Sequence, residues 1–193
     1  MRTDVVLAGV GGQGVLTVAA LLAEAARREG LVVKQGEVHG MAQRGGAVQA
    51  TLRLADGPIA ADLVPRGSAD LLLALEPVEA LRHAGYLRPG GRLVTAAESH
   101  ENVPDYPPLD DVHARVRAVP GAVLVPATDL AREAGSIRVV NVVMVGAASP
   151  WLPLSPDMLE GCVMDAFSAK GERVVEANRR AFFAGREAAG VSG

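Results

Sequence analysis

The sequence contains few of the residues that hold redox clusters or bind nucleic acids. Its 193 residues include a single cysteine, Cys162, whereas an iron–sulfur cluster needs about four thiolates, so the chain cannot ligate a cluster by itself. Aromatic residues make up only 3% of the chain, and the net charge is −3 without a long basic run. The chain therefore has few aromatic side chains to stack on bases and no long basic run to bind a phosphate backbone. We expect no nucleic-acid partner.

Long apolar runs are also missing. The most apolar windows, 69–74 and 139–148, are well short of the roughly 20 residues that a membrane helix needs. No charged segment followed by an apolar one stands at the N-terminus, so we expect a cytoplasmic protein without a membrane partner. The histidines show no metal-ligand spacing, and Cys162 falls in a helical pattern where a buried thiol is expected. We therefore predict no metal site.

The chain is instead rich in aliphatic residues. Hydrophobic residues make up 49% of the sequence, which is enough for a buried core of Val, Leu and Ala. Such a core is typical of helices packed against a parallel sheet. We expect a single domain that spans residues 1–193.

A glycine-rich turn connects the first apolar run to the first helical pattern. Residues 4–8 predict a strand and Val15 to Arg28 predict a helix. Between them stand Gly9, Gly11, Gly12, Gln13 and Gly14. Glycines at such a junction allow a tight turn and the close approach of a ligand or of another backbone. The free N–H groups at the start of the helix would favour an anion there.

A second glycine-rich loop follows the next predicted strand, which runs from Leu31 to about Glu37. A right-handed crossover would make the two strands parallel, with both following loops at one edge of the sheet. The second loop contains His39, Gly40, Gln43, Arg44, Gly45 and Gly46. Gln43 and Arg44 could there reach an anion or the backbone of a partner. The alternative is a solvated arginine in a surface loop.

The rest of the chain predicts further strands and helices. Strands are predicted at residues 47–54, which alternate like a half-exposed strand, and at 69–75, 92–96 and 122–125. Helices are predicted at 77–84, from 128 to a stop at Gly135, at 139–148, after Ser155-Pro156 and at 172–187. Residues 98–110 are predicted to be irregular. The fold class is therefore α/β: a three-layer α/β/α Rossmann-like domain with a mainly parallel sheet and a helical C-terminal end.

The residues alone leave two interpretations of the glycine turn. Gly9, Gly11 and Gly14 match the dinucleotide-binding fingerprint, and Glu37 stands where an acid could bind the ribose of NAD or FAD. The loop from His39 to Gly46, however, would crowd an adenosine pocket. The other interpretation is a tight strand-to-helix turn that binds nothing, as in a purely structural assembly module.

The two glycine-rich motifs together resemble one family. Residues 9–15, GVGGQGV, and 37–46, EVHGMAQRGG, are similar to the gamma subunit or domain of the 2-oxoacid:ferredoxin oxidoreductases. Within that family, the pattern is most similar to the small (beta) subunit of the indolepyruvate ferredoxin oxidoreductases. Residues 69–77, 138–146 and 174–185 also fit the family pattern in the right order, so the resemblance covers nearly the whole chain.

The resemblance implies a subunit of a larger complex. Complexes of this family oxidatively decarboxylate a 2-oxoacid on thiamine diphosphate with Mg²⁺, pass electrons through [4Fe–4S] clusters to ferredoxin, and transfer the acyl group to coenzyme A. This chain has no Gly-Asp-Gly signature for thiamine diphosphate. The resemblance therefore implies that a large partner subunit carries these cofactors and that this chain binds none of them alone. Its glycine-rich loops would complete the active-site environment, and an independent NAD- or FAD-binding protein is the alternative.

Overall fold

The computed structural model describes residues 1–39, 45–100 and 105–190. Its strands and helices follow one another in the order β1 (Arg2–Val10), α1 (Val15–Arg28), β2 (Val32–His39), β3 (Ala47–Ala55), β4 (Ala69–Ala74), α2 (Pro77–His83), β5 (Leu87–Ala96), α3 (Leu109–Arg117), β6 (Ala122–Val125), α4 (Ala127–Glu133), α5 (Val140–Ala148), α6 (Pro156–Phe167) and α7 (Glu172–Ala188). After β6 the chain is helical, which confirms the predicted helical C-terminal end.

The strands form a six-stranded mixed sheet in the order β2-β3-β1-β4-β5-β6. β3 is antiparallel to its neighbours β1 and β2, whereas β1 with β4, β4 with β5, and β5 with β6 are parallel pairs. β1 and β2 therefore run in the same direction, as predicted, although β3 lies between them. The chain leaves β1 toward one side of the sheet through α1 and later returns to the other side at β4. The crevice between the C-terminal ends of β1 and β4 is thus a topological switch point, where α/β sheets bind ligands.

Helices cover both faces of the sheet, which confirms the three-layer arrangement. Leu7 and Leu71 belong to the core on the face that α1, α5, α6 and α7 cover. Their sequence neighbours Val6 and Leu72 belong to the core on the opposite face, beneath α2 and α3. Because successive side chains of a strand point to opposite faces, strands that are buried on both sides are continuous apolar runs. Within the three described ranges, no helix is both long and apolar enough to cross a membrane.

The alternating strand β3 is more buried than its sequence predicts. Thr51 and Arg53 are only 3% and 6% exposed. Arg53 donates from Nε and Nη2 to the two carboxylate oxygens of the buried Asp4, at 2.8 and 3.0 Å. Its Nη1 donates to the carbonyl oxygens of Ala61 and Leu63, in the segment that covers the strand. The prediction of half exposure was wrong because a fully hydrogen-bonded buried side chain has the same sequence pattern as a solvated one.

Most element boundaries agree with the sequence prediction. Helix α6 begins as expected, since Ser155 Oγ accepts a hydrogen bond of 3.2 Å from the Met158 N–H. The prediction that residues 98–110 are irregular is corrected at its end, because helix α3 starts there at Leu109. The start of strand β5 is also corrected, because the strand begins at Leu87 and not at the predicted residue Arg92. Gly91 approaches β4 so closely that a Cβ atom there would lie 2.8 Å from the Ala69 carbonyl oxygen.

Helices α5 and α7 cross in backbone contact at two glycines. A Cβ atom on Gly146 would lie 2.0 Å from the Phe182 carbonyl oxygen, and one on Gly185 would lie 1.9 Å from the Val143 carbonyl oxygen. No side chain fits at either position. Phe182 itself is fully buried, so this crossing anchors the C-terminal helix in the core.

We predict that Gly185→Ala lowers the free energy of unfolding by about 3 kcal/mol, because the methyl group overpacks the crossing. Gly161→Ala is the matched control, since a Cβ atom at this position of α6 meets no atom within 4 Å. The control should be neutral or stabilising by about 0.5–1 kcal/mol through helix propensity. Urea unfolding measures both, and equal midpoints for the two variants would contradict the direct contact of α5 with α7.

Candidate functional site

The turn between β1 and α1 requires its glycines for two different reasons. Gly12 and Gly14 have φ angles of 105° and 88°, which residues with a side chain rarely adopt. Gly9 is required by packing, because a Cβ atom there would lie 2.8 Å from Val15 Cγ2 and 3.2 Å from Leu75 Cβ. The missing side chain lets the end of β1 pack against the start of α1 and the end of β4.

The side chain of Gln13 holds this turn in place. Its Oε1 accepts a hydrogen bond of 2.7 Å from the Val10 N–H, and its Nε2 donates one of 2.9 Å to the Leu75 carbonyl oxygen. One amide group therefore bridges the ends of β1 and β4 at the switch point. The glutamine, which is unusual in a dinucleotide fingerprint, thus has a structural role in fixing the separation of the two strand ends.

The two glycine-rich motifs are hydrogen-bonded to each other. The Gly11 N–H donates to the Gly46 carbonyl oxygen at 2.8 Å, and the Gly45 N–H donates to the Gly11 carbonyl oxygen at 3.2 Å. This reciprocal pair follows the last β1–β3 ladder pair, Val10 with Ala47. Both motifs therefore lie at the same edge of the sheet, as predicted.

Part of the second loop lies outside the described residues. Gly40, Gln43 and Arg44 fall in the range 40–44, which the structure does not describe. For His39 the structure describes the backbone, as the last residue of β2. The roles of these four residues stay predictions.

Glu37 is not brought to the glycine turn. It is exposed on β2, where its Oε1 accepts a hydrogen bond of 2.8 Å from Gln35 Nε2. Glu37 pairs with Ala50, which in turn pairs with Leu7, so it stands two strands away from β1, or about 10 Å at the usual strand spacing. The acid of a dinucleotide site must reach a ribose bound beside the first strand. This placement gives the NAD or FAD interpretation no support.

A cavity of about 630 Å³ opens beside the glycine turn at the switch point. Its volume is within the usual range of small-molecule sites. Two glycines and several polar residues from both halves of the chain line it: Gly12, Gln13, Gly14, Thr17, Glu98, Ser99, His100, Thr128, Arg138, Asn141 and Lys170.

The charges around this cavity favour an anion. Helix α1 begins there without an acidic residue in its first turn, and no side chain of the described residues caps it, so its first N–H groups are available to a ligand. Arg138 and Lys170 add positive charge, and Glu98 is the only carboxylate among the described lining residues. A phosphate or carboxylate group would therefore find several donors and little repulsion.

The two carboxylate oxygens of Glu98 differ in their hydrogen bonding to the described residues. Its Oε1 accepts a hydrogen bond of 3.0 Å from the Thr128 N–H at the start of α4. Its Oε2 is buried and has no hydrogen-bond partner among residues 1–39, 45–100 and 105–190. Such an orphaned acceptor costs free energy, which a donor on a bound ligand would recover.

The cavity residues that the sequence pattern did not select as site residues include Glu98, Thr128, Arg138, Asn141 and Lys170. A signal exists for two of them, because Glu98 and Thr128 follow the C-terminal ends of predicted strands at the sheet edge of the glycine turn. The other three come from the helical C-terminal region, and no local pattern specifies where that region packs.

Cys162 is a buried core residue rather than a nucleophile. It is 2% exposed, and burial raises the pKa of its thiol. The predicted burial of Cys162 is confirmed, and a buried thiol with a raised pKa is a poor nucleophile. In the part of the chain that the structure describes, no three His, Cys, Asp or Glu side chains are grouped to bind a metal ion.

We predict that Gln13→Glu lowers the free energy of unfolding by about 1–3 kcal/mol at pH 7, because the carboxylate cannot donate to the Leu75 carbonyl oxygen. That contact should raise the pKa of the new carboxyl group in the folded protein. The destabilisation should therefore be present above this pKa and disappear below the unfolded-state value of about 4.3, where the protonated group can donate. Thermal unfolding of the wild type and the variant at pH 7 and below about pH 4.3 measures the difference in stability. A difference that does not change with pH would contradict the hydrogen bond from Gln13 to the Leu75 carbonyl oxygen.

Known sequences of one family match nearly the whole chain. The family model for pyruvate ferredoxin/flavodoxin oxidoreductase matches residues 4–188. The chain is 41% identical over 196 residues to the indolepyruvate oxidoreductase subunit IorB of Thermococcus kodakarensis, with 96% of this chain and 95% of that protein covered.

Solved structures give the same result. The gamma subunit of a keto/oxoacid ferredoxin oxidoreductase from Geobacter sulfurreducens matches with a TM-score of 0.69 and 27% identity, over 97% of this chain and 98% of that chain. A 2-oxoglutarate:ferredoxin oxidoreductase from Magnetococcus marinus has the same fold in part, with a TM-score of 0.76 and 24% identity over 98% of this chain and 31% of that chain. The chain therefore belongs to the pyruvate ferredoxin/flavodoxin oxidoreductase family, in which its relatives are subunits of oxidoreductases that act on 2-oxoacids.

Proposed function

We propose that this chain is a single-domain, gamma-type subunit of a 2-oxoacid:ferredoxin oxidoreductase, inactive alone, whose complex acts on an arylpyruvate such as indolepyruvate. One observation carries the proposal. The reciprocal hydrogen bonds between Gly11, Gly45 and Gly46 join the two family motifs into one surface beside an anion-favouring cavity.

The oxidation itself is assigned to a large partner subunit that carries thiamine diphosphate, Mg²⁺ and [4Fe–4S] clusters. A cluster of that type needs about four thiolates, and this chain has one cysteine. Ferredoxin would then take electrons from the partner. The role of this chain is to bind, orient and shield a ligand at the partner's active site.

Coenzyme A is the ligand that best fits the glycine turn. The Magnetococcus marinus 2-oxoglutarate:ferredoxin oxidoreductase has 2-oxoglutarate, coenzyme A and succinyl-CoA bound. In this chain, the N–H groups at the start of α1 and the open space at Gly12, where a Cβ atom would meet no described atom within 4 Å, leave room for a diphosphate. Arg138 and Lys170 would balance its charge. When bound, coenzyme A supplies the thiol that accepts the acyl group.

The second loop completes this surface in the proposal. Gln43 and Arg44 would face the partner subunit, where the amide and the guanidinium offer directional hydrogen bonds to a carboxylate, a phosphate or a backbone. His39 and Gly40 precede them, and Gly45 and Gly46 tie the loop to the glycine turn.

Reconstitution tests the proposed function. The purified chain alone should show no coenzyme A-dependent reduction of methyl viologen by indolepyruvate and no iron–sulfur absorbance, and addition of its large partner should produce turnover. Turnover by the chain alone would contradict the proposal. Calorimetric binding of NAD in the low micromolar range, lost in Glu37→Ala, would establish the alternative of an independent dinucleotide-binding protein.

We further predict that Arg44→Ala weakens partner binding or turnover of the reconstituted complex by about tenfold, since a group left unpaired at an interface costs about 1–3 kcal/mol. The melting temperature of the free subunit should hardly change. Arg27→Ala is the control, because Arg27 is an exposed α1 residue that forms an ion pair with Glu24 of its own helix. Wild-type affinity and turnover for Arg44→Ala would instead support a solvated arginine.

A further inference from the structure

A second basic depression lies between the end of α4 and the start of α7. It has a volume of about 390 Å³. Four basic residues line this depression, which we call the groove, and no carboxylate is among its described lining residues. These groove cations are Arg138, Lys170, Arg173 and Arg180. Two of these cations, Arg138 and Lys170, also line the glycine-turn cavity, so the two depressions adjoin.

The groove cations lack the ion pairs that neighbouring arginines make. Arg28 pairs with Asp165 at 2.6 Å, and Arg179 pairs with Glu160 at 2.7 Å. Within residues 1–39, 45–100 and 105–190, no groove cation has a carboxylate within 4.0 Å. In a chain whose net charge is −3, this groove is a local excess of positive charge, and such an excess attracts anions.

The floor of the groove is apolar. Phe167, Val139, Val174 and Ala177 line it, and Lys170 Nζ lies 5.1 Å from the centre of the Phe167 ring. A cation at this distance is held over the ring face by a cation–π interaction. The groove therefore combines a charged rim with an aromatic and aliphatic surface.

The rim also offers a hydroxyl donor. Ser136 Oγ accepts a hydrogen bond from the Arg138 N–H, which leaves the hydroxyl proton free to donate to a ligand. Arg173 and Arg180 are seven residues apart on α7 and so share one face of the helix, about 10 Å apart along its axis. Several donors can thus converge on one multiply charged oxyanion.

We propose that this groove binds a phosphate monoester carried on an aromatic or apolar body. A dianionic phosphate matches the several cations and the hydroxyl donor, and the apolar body matches the floor. The phosphate could be the distal phosphate of a ligand whose other end occupies the glycine-turn cavity, or it could belong to a separate molecule. Phosphate binding by the groove residues does not require the proposed function.

Phenyl phosphate is the probe, titrated by calorimetry into the full chain without any partner. It should bind saturably and more tightly than inorganic phosphate, because the ring contacts the apolar floor. The double variant Arg173→Gln/Arg180→Gln, which we call the groove variant, should bind phenyl phosphate at least about tenfold more weakly, since two charge-assisted contacts are lost.

The matched control is the double variant Arg27→Gln/Arg132→Gln, which removes the same charge from two exposed arginines, each paired with an acid on its own helix. The control should keep wild-type affinity within about twofold. The proposal would be overturned if both double variants lost the same affinity for phenyl phosphate, or if the groove variant kept wild-type affinity. It would also be overturned if the wild type showed no saturable binding.

A second arm distinguishes the two sources of the phosphate. If it is the 3′-phosphate of coenzyme A, the groove variant should weaken coenzyme A and leave 3′-dephospho-coenzyme A unchanged. If it belongs to a separate molecule, phenyl phosphate and coenzyme A should bind together without competition. Either result keeps the groove as a phosphate site, and neither depends on turnover of the complex.

Discussion

The close approach of the ends of β1, β4 and α1 is the constraint on which the candidate site depends. Gly9 allows the approach because any side chain there would collide with Val15 and Leu75. Gln13 then fixes its width by hydrogen bonding to the backbone of both strands. With the strand ends held this way, the first N–H groups of α1 open into the switch-point crevice rather than into the core.

The helical C-terminal region supplies the positive charge of the site. Its position follows from the direct contact of α5 with α7 at Gly146 and Gly185. This contact places the segments that carry Arg138 and Lys170 beside the glycine turn. A packing feature remote from the turn thus determines the electrostatics of the cavity and of the adjoining groove.

The antiparallel strand β3 separates this fold from a dinucleotide-binding one. In the dinucleotide fold the acid-bearing strand lies next to the first strand. Here β3 occupies that place, carries the buried Arg53–Asp4 pair, and moves Glu37 to the outer strand. The same insertion brings Gly45 and Gly46 against Gly11, so one topological change both weakens the NAD interpretation and creates the paired glycine surface.

The sequence by itself determined the local elements and the family. Helix α1, strand β6 and the Ser155 cap follow from periodicity and capping, which act over a few residues. Only the tertiary structure decided that β3 lies between β1 and β2, and that Arg53 is buried. It also decided which C-terminal residues reach the glycine turn. These outcomes depend on contacts between residues far apart in the chain, which local propensity does not encode.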